Sequence, residues 1–462
     1  MKLNLENYVI AVAAITSFFA VFLSSGVIVA VPSIATEFGM SNIVQNWIAT
    51  IFLLLVAIFT IPAGQLSGKF GLKKSLVLGL FVYLLSSIGT CLAFSTEVFL
   101  IFRIIQGIGV AFINVAAMAM VVSAVSPKNR GKALGLTVTG VYMATSLSPV
   151  IGGSLTYYFG WRAIFYFVIP FLLVCIILML VKIPQEWKTG ENDPIDKIGS
   201  IIYGIGILFF IYGFTRLKSS IGATLAILGA ILLIGFVLWE LKEKYPVFNM
   251  RLFKNAKFAS SNLAAFCGYL AVFVVTTILS YHLQYVRGMN SQVTGLFLIV
   301  TPIVMAILAP IAGKLSDKIY PQKLAAIGMA IGSVALGIFA FLNNNTSFYV
   351  IIIAMLLQGI GFGLFSSPNT NAIMSSVPPK ETSTASASVA TMRTIGQTMS
   401  LGMLTLIFAF VMGNVPIIPK YYPLLITSSQ IACGISTILC VASVFASLVG
   451  IKSKDKFTTE TN

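Results

Sequence analysis

The sequence is short of charge, and shortest of acid. Its 462 residues include 13 Asp and Glu, 29 Lys and Arg and one histidine, so that charged residues make up 9% of the chain. Soluble domains carry about 25%. That deficit excludes a soluble globular enzyme, a disordered chain and a nucleic-acid binder. The five cysteines, Cys91, Cys175, Cys267, Cys433 and Cys440, lie in apolar stretches without metal-ligand spacing. They read as small buried hydrophobes, and no metal or cofactor site is expected. A polytopic membrane enzyme would need acids and histidines clustered near the membrane, and the sequence has no such cluster. It also lacks an ATP-binding P-loop, so any work the chain does must draw on a gradient or an exchange partner. The filter-like repeats of a channel are missing too.

What the chain has is apolar length. Hydrophobic residues make up 58%, and the mean hydropathy is +0.98. A helix crosses the bilayer core with about 20 apolar residues. Fourteen such stretches run near 8–31, 45–66, 74–94, 98–122, 133–155, 164–181, 199–215, 221–239, 259–281, 293–313, 323–342, 348–368, 389–412 and 426–449. The expected fold is an all-α polytopic membrane protein. With the N-terminus inside, 22 Lys and Arg fall in cytoplasmic loops and tails, and five (Arg162, Arg216, Lys218, Arg287 and Lys420) fall outside. Positive charge is retained on the cytoplasmic side. The chain is therefore expected in a prokaryotic cell membrane with both termini cytoplasmic, and the net charge of +16 reflects topology rather than a polyanionic partner.

The chain also repeats itself. Gly64-Gln65-Leu66-Ser67-Gly68-Lys69 recurs as Gly313-Lys314-Leu315-Ser316-Asp317-Lys318, 249 positions later, and Gln106-Gly107-Ile108-Gly109 recurs as Gln358-Gly359-Ile360-Gly361, 252 positions later. Two motifs at nearly one offset indicate a duplicated unit. Six spans fill less than that offset, and the seventh and eighth spans fill the remainder. The expected organisation is a six-helix bundle over 1–181, two inserted helices over 182–258 and a second six-helix bundle over 259–462. Paired bundles of this kind are a transporter design.

Several motifs sharpen this. They are Gly64-Gln-Leu-Ser-Gly-Lys-Phe-Gly71-Leu-Lys-Lys74, Arg103-Ile-Ile-Gln106-Gly107-Ile-Gly109, Arg130-Gly131-Lys132-Ala133, Ser148-Pro149-Val-Ile-Gly152-Gly153, Gly160-Trp161-Arg162 and Trp239-Glu240 with Arg251-Leu-Phe253. In this order and on these spans, the sequence resembles the major facilitator superfamily, and within it the fourteen-helix drug–proton antiporter branch. The resemblance covers nearly the whole chain. It implies two six-helix bundles plus two inserted helices. It also implies alternating access and multidrug efflux, with protons and a small molecule as partners beside the lipid bilayer, and a chain that acts as a monomer.

The candidate residues follow. Gly64, Gly68 and Gly71 permit a tight turn and close helix approach, and Lys69, Lys73, Lys74 and Arg130 suit the anionic cytoplasmic face. Pro149 removes a backbone donor, and Gly152 and Gly153 on the next turn allow tight packing. Arg103 lies inside the fourth span, where a charge must face a cavity or a polar partner, with Gln106 one turn on. The resemblance implies proton coupling for this arginine and a conformational latch for an acid at position 68. Here that position is Gly68, so Asp317 of the second copy is expected to carry the latch. Arg393 opens the thirteenth span. Trp47, Asn114, Tyr142, Asn369 and Asn371 are candidates for the cavity lining. The antiporter branch has an aspartate in its first helix where this chain has Leu23, and none of the 13 acids lies in the core of a span. That departure bears on both proton coupling and dication recognition. The alternative reading is a dedicated carrier of one neutral or anionic metabolite.

Overall fold

A computed structural model describes residues 2–125, 127–188, 194–244, 246–316, 318–378 and 382–452. Among these residues the regular structure is helical throughout. The elements are α1 (Lys2–Phe38), α2 (Asn42–Phe70), α3 (Leu72–Cys91), α4 (Thr96–Ala124), α5 (Pro127–Phe159), α6 (Arg162–Val181), α7 (Lys197–Thr215), α8 (Ser220–Lys242), α9 (Ala256–Tyr281), α10 (Ser291–Leu298), α11 (Val300–Ser316), α12 (Pro321–Phe339), α13 (Phe348–Met374), α14 (Thr382–Val411) and α15 (Tyr422–Lys452). α9 continues through a π-helical turn, His282–Val286. α10 and α11 are one rod broken at Ile299. Pro302 has no N–H to reach the Leu298 carbonyl one turn back, and this loosens the ladder there. Fourteen rods result, and among the described residues thirteen of them are long and apolar enough to cross a membrane.

In a bilayer every backbone polar group must be satisfied within the protein, which restricts spanning segments to such helices. Their ends are set locally. Side chains of Ser95, Asp196, Ser219 and Asn290 accept from the backbone N–H three residues on, satisfying donors the helix leaves open. Chain reversals use Gly39, Gly71, Gly160, Gly288 and Gly413, all at positive φ.

The described chain divides into two compact units. One comprises Met1–Val247 with Ser280–Ile299 and Asn414–Pro419; the other comprises Phe248–Leu279, Val300–Gly413 and Lys420–Asn462. In the first, α4 packs against α2 and α3, α1 against α5, α3 against α6, and α7 against both α8 and α2. In the second, α13 packs against α11 and α12, and α12 against α15. A cluster of Phe258, Ala265, Ile373 and Ala385 joins the start of α9 to α13 and α14.

The repeated glycines occupy equivalent contacts in the two units. A β-carbon at Gly107 would lie 2.6 Å from the Phe52 carbonyl oxygen, and one at Gly359 would lie 2.8 Å from that of Thr301. A β-carbon at Gly109 would lie 2.9 Å from the Gly79 carbonyl oxygen, and one at Gly361 would lie 2.6 Å from the Gly332 nitrogen. The recurring Gly-Ile-Gly is thus the surface on which the fourth helix of each copy meets two neighbours. Gly64 differs. A β-carbon there would meet only Val115, at 3.9 Å, so close approach is not its role. It lies within α2, which runs on to Phe70, and the turn belongs to Gly71 alone, at φ +116.

Gly107→Ala should therefore overpack the α2–α4 contact and destabilise the protein by about 1–3 kcal/mol. Gly64→Ala should be neutral or stabilising by up to about 1 kcal/mol through helix propensity. Thermal midpoints of the detergent-purified variants check this pair. Equal midpoints would contradict the assignment.

Candidate functional site

Arg103 is fully buried, and its surroundings show why a charge is tolerated there. Its Nε donates to the Ile48 carbonyl of α2 at 3.1 Å, and its Nη1 donates to Gln106 Oε1 at 2.9 Å. The guanidinium carbon lies 4.4 Å from the centre of the Phe52 ring, a cation–π arrangement. Gln106 passes the network on, its Nε2 donating to Ser87 Oγ at 3.3 Å and Thr90 Oγ1 at 3.4 Å on α3. Tyr83, one turn earlier on α3, is buried and donates to the Phe19 carbonyl of α1 at 2.7 Å. Arg103 Nη2 has no hydrogen-bond partner among the described residues. The site therefore joins α2, α3 and α4 through one cation and uncharged partners. Its side chain is directed inward rather than to the lipid headgroups. The position corresponding to Arg103 in the second copy is Met355, itself buried, so the charge is confined to one half of the repeat.

Pro149, Gly152 and Gly153 lie within an unbroken α5. A β-carbon at Gly152 would lie 2.9 Å from the Gly26 carbonyl oxygen of α1, and one at Gly153 would lie 2.4 Å from that of Ser291. Ser291 Oγ donates to the Gly153 carbonyl at 3.1 Å, and the Pro149 carbonyl approaches Gly295. This motif is where α5 holds α1 on one side and α10 on the other.

The expected cavity residues are dispersed. Trp47 is half-buried, its ring 5.8 Å from that of Tyr212 on α7. Asn114 is half-buried on α4. Asn369 Nδ2 donates to the Ser261 carbonyl of α9 at 3.1 Å, and Asn371 Nδ2 donates to Ser316 Oγ of α11 at 2.9 Å, so both tie helices together within the second unit. Arg393 lies well inside α14 rather than at its start, and is half-buried. Asp317, and the side chains of Arg130 and Tyr142, lie outside the described residues. The Phe18, Phe19 and Phe22 rings stack among themselves and with Phe167 and Phe171 of α6, which is core packing.

At the α2–α3 turn, Gly68 is buried, Lys69 closes α2, and the backbone N–H groups of Lys73 and Lys74 donate to Glu186, at 2.8 and 3.2 Å. The Leu72 N–H donates to the Trp187 carbonyl. Glu186 fills the space a β-carbon at Gly71 would need. A loop acid 115 residues downstream of Gly71 gives no signal in the sequence that it will cap α3. The same holds for Asp196, which accepts from Trp239 Nε1 at 3.0 Å and whose backbone N–H donates to Gln65. Gly160-Trp161-Arg162 is a clamp. Trp161 Nε1 and Arg162 both donate to Glu37 at the end of α1, and Arg162 also reaches the Cys91 and Ala93 carbonyls. Gln45, Asn46, Tyr281, Gln284 and Tyr285 are a further polar group that sequence reasoning passed over. The membrane cost of polar side chains, already applied to Asn114, would have found Gln45 and Asn46.

A polytopic helical protein with the repeat written into its helix contacts, and a buried cation inside one bundle, is a membrane transporter by class. The Major Facilitator Superfamily profile matches residues 13–401, and the chain belongs to that family. It is 26% identical over 381 residues to the riboflavin transporter RibZ of Clostridioides difficile strain 630, covering 82% of this chain and 83% of that protein. It is 26% identical over 419 residues to the multidrug resistance protein Stp of Mycobacterium tuberculosis, covering 88% and 77%. The fold matches the crystal structure of the peptide transporter POT in complex with sulfate with a TM-score of 0.72, at 13% identity and covering 98% and 99%. It also matches an inward-facing bacterial homologue of the lysosomal transporter Spinster at 0.66, with 18% identity and coverage of 97% and 98%.

Arg103→Ala should abolish transport, at least tenfold in rate, while the protein still elutes as a folded species. Arg103→Lys should restore only part of it, because an ammonium lacks the planar fork that serves Ile48 and Gln106 together. Wild-type rates for the alanine variant would reduce the arginine to a packing element.

Proposed function

We propose that the chain exports small amphipathic compounds across the cell membrane by alternating access, driven by the proton gradient and acting as a monomer. In this reading both termini and the Lys/Arg-rich loops are cytoplasmic, and the chain divides into bundles over 1–181 and 259–462 with two inserted helices between. Arg103, Gln106, Pro149, Gly152, Gly153, Asp317 and Arg393 would serve coupling and gating.

The observation that carries the substrate class is the buried Arg103 without an acid beside it. The acids on described helices, Glu6, Glu37, Glu97 and Glu240, lie within two turns of a helix end. Position 23, where the antiporter branch has its aspartate, holds a fully buried leucine. A cation stripped of water needs a carboxylate or an aromatic cage in exchange. Two unit charges about 8 Å apart interact by about 2 kcal/mol at an effective dielectric of 20. Keeping the arginine without the acid should penalise a monocation by roughly that amount and a dication about twice as much, a loss of tenfold or more in affinity. Neutral, zwitterionic and anionic amphiphiles are therefore favoured over dications. A second reading, a dedicated carrier of one neutral or anionic metabolite, is supported by the same electrostatics and by the relative named as a riboflavin transporter.

Efflux from cells expressing the protein distinguishes these readings. A dicationic biocide, a neutral compound of similar size and riboflavin are compared. The neutral compound should leave faster than the dication. Efflux of riboflavin alone would favour the dedicated carrier. Strong saturable efflux of the dication, with none of the neutral compound, would show the electrostatic argument to be wrong.

A further inference from the structure

The end of α9 farthest from Ala256 is stitched to α1 and α2 by uncharged hydrogen bonds. Tyr281 Oη donates to Asn46 Oδ1 at 3.1 Å and Tyr285 Oη donates to Gln45 Oε1 at 3.0 Å. Ser280 Oγ donates to the Ile28 carbonyl at 3.2 Å, and Gln284 Nε2 to that of Val29 at 3.1 Å. These residues straddle a π-helical turn, closed by the Arg287 N–H donating to the His282 carbonyl at 3.0 Å. Single π turns inside α-helices are frequent at functional positions. They cost regular hydrogen bonding, and here the wider turn lets residues 281, 284 and 285 all reach their partners.

His282 lies inside this clasp. It is the only histidine of the chain, it is 2% exposed, and its Nε2 has no hydrogen-bond partner among the described residues. A buried polar atom left without a partner calls for a functional explanation. The stretches this turn is bonded or packed against, and those that pack on them in turn, bring no acid to it. Residues 18–36 of α1, 42–52 of α2, 148–156 of α5, α10 and 414–419 contain no ionisable side chain. Glu37, at the end of α1, is held by Arg162 and Trp161. The ionisable groups at hand are Arg287, Tyr281 and Tyr285, all on the helix of His282 or just beyond it. An imidazole is the one side chain that ordinarily titrates near neutral pH. Protonated in place, it would be a buried cation with no anion near it and with Arg287 five residues away. That state is relieved by reaching water.

We propose that His282 is a proton-sensing release for this clasp: uptake of a proton by its imidazole breaks the bonds to Gln45, Asn46, Ile28 and Val29 and frees the end of α9. By the orientation proposed above this end faces the outside, so external acid would favour its opening. The inference rests on the alternating-access reading, in which this end must open once per cycle.

The test needs no substrate. Spin labels at Thr36→Cys and Val293→Cys, in the full chain in lipid nanodiscs, report the separation of α1 from α10; the five native cysteines are buried. Between pH 8 and pH 5.5 the population at long distance should rise at least threefold in the wild-type background and stay flat in His282→Gln. The Tyr281→Phe/Tyr285→Phe variant should show the long distance already at pH 8. An equal rise in His282→Gln would overturn the proposal, and so would a flat wild type, whether or not the tyrosine variant opens. Should His282→Gln not fold, imidazole NMR of the single histidine decides, because its titration must track the distance change. A pH response in a protein that transports nothing would sink the exporter reading alone. Gradient-driven transport without the pH response would sink only the release.

Discussion

A guanidinium held without an acid is the constraint on which the first unit depends. Burying a charge in a membrane is costly unless its donors are used. Here the donors are spent on a backbone carbonyl, a glutamine and an aromatic face. Serving them requires Ile48, Phe52 and Gln106 to meet at one depth, and Gln106 in turn requires Ser87 and Thr90. Three helices are thereby fixed in register by one side chain. The remaining donor, Nη2, stays available for a group or water that the rest of the cycle could bring to it.

Glycine makes that register reachable. Apolar side chains gain little by leaving lipid for protein, so helix association relies on close packing. Gly107 and Gly109 bring α4 against α2 and α3, and Gly359 and Gly361 do the same for α13 against α11 and α12. The duplication is thus preserved as geometry even where chemistry has diverged. Arg103 has become Met355 in the second copy, and Gly68 stands where the second copy has Asp317. At these two positions one copy holds a cation and the other an acid.

The spans, their order and the repeat were legible because hydropathy and repetition are local properties of the sequence. Arg103 and Gln106 were legible for the same reason: a charge and an amide one turn apart on an apolar helix must find polar partners. What those partners were was not legible. Ile48 contributes a carbonyl, which every residue has, and Phe52 contributes a ring face among many phenylalanines. The cap that Glu186 makes on α3, and the bond from the Asp196 backbone N–H to Gln65, join residues more than a hundred positions apart with no pattern between them. Asn369 and Asn371 read as cavity residues because they are polar in a span; which partners their amides take, the Ser261 carbonyl of α9 and Ser316 of α11, was not legible. Gly64 was read as a close-approach glycine from its motif alone, and nothing in one sequence distinguishes it from Gly107. The π turn at His282–Val286 has no sequence signature.

The central claim is that this chain moves a small molecule at the expense of an ion gradient. Purified protein in sealed proteoliposomes, with a proton or a sodium gradient imposed and no nucleotide present, tests it most directly against a panel of neutral, anionic and cationic amphiphiles. Saturable, concentrative movement of a neutral or anionic compound under the proton gradient, collapsed by a protonophore, is the result expected. Flux that neither saturates nor responds to either gradient, from protein shown to be folded, would contradict the account.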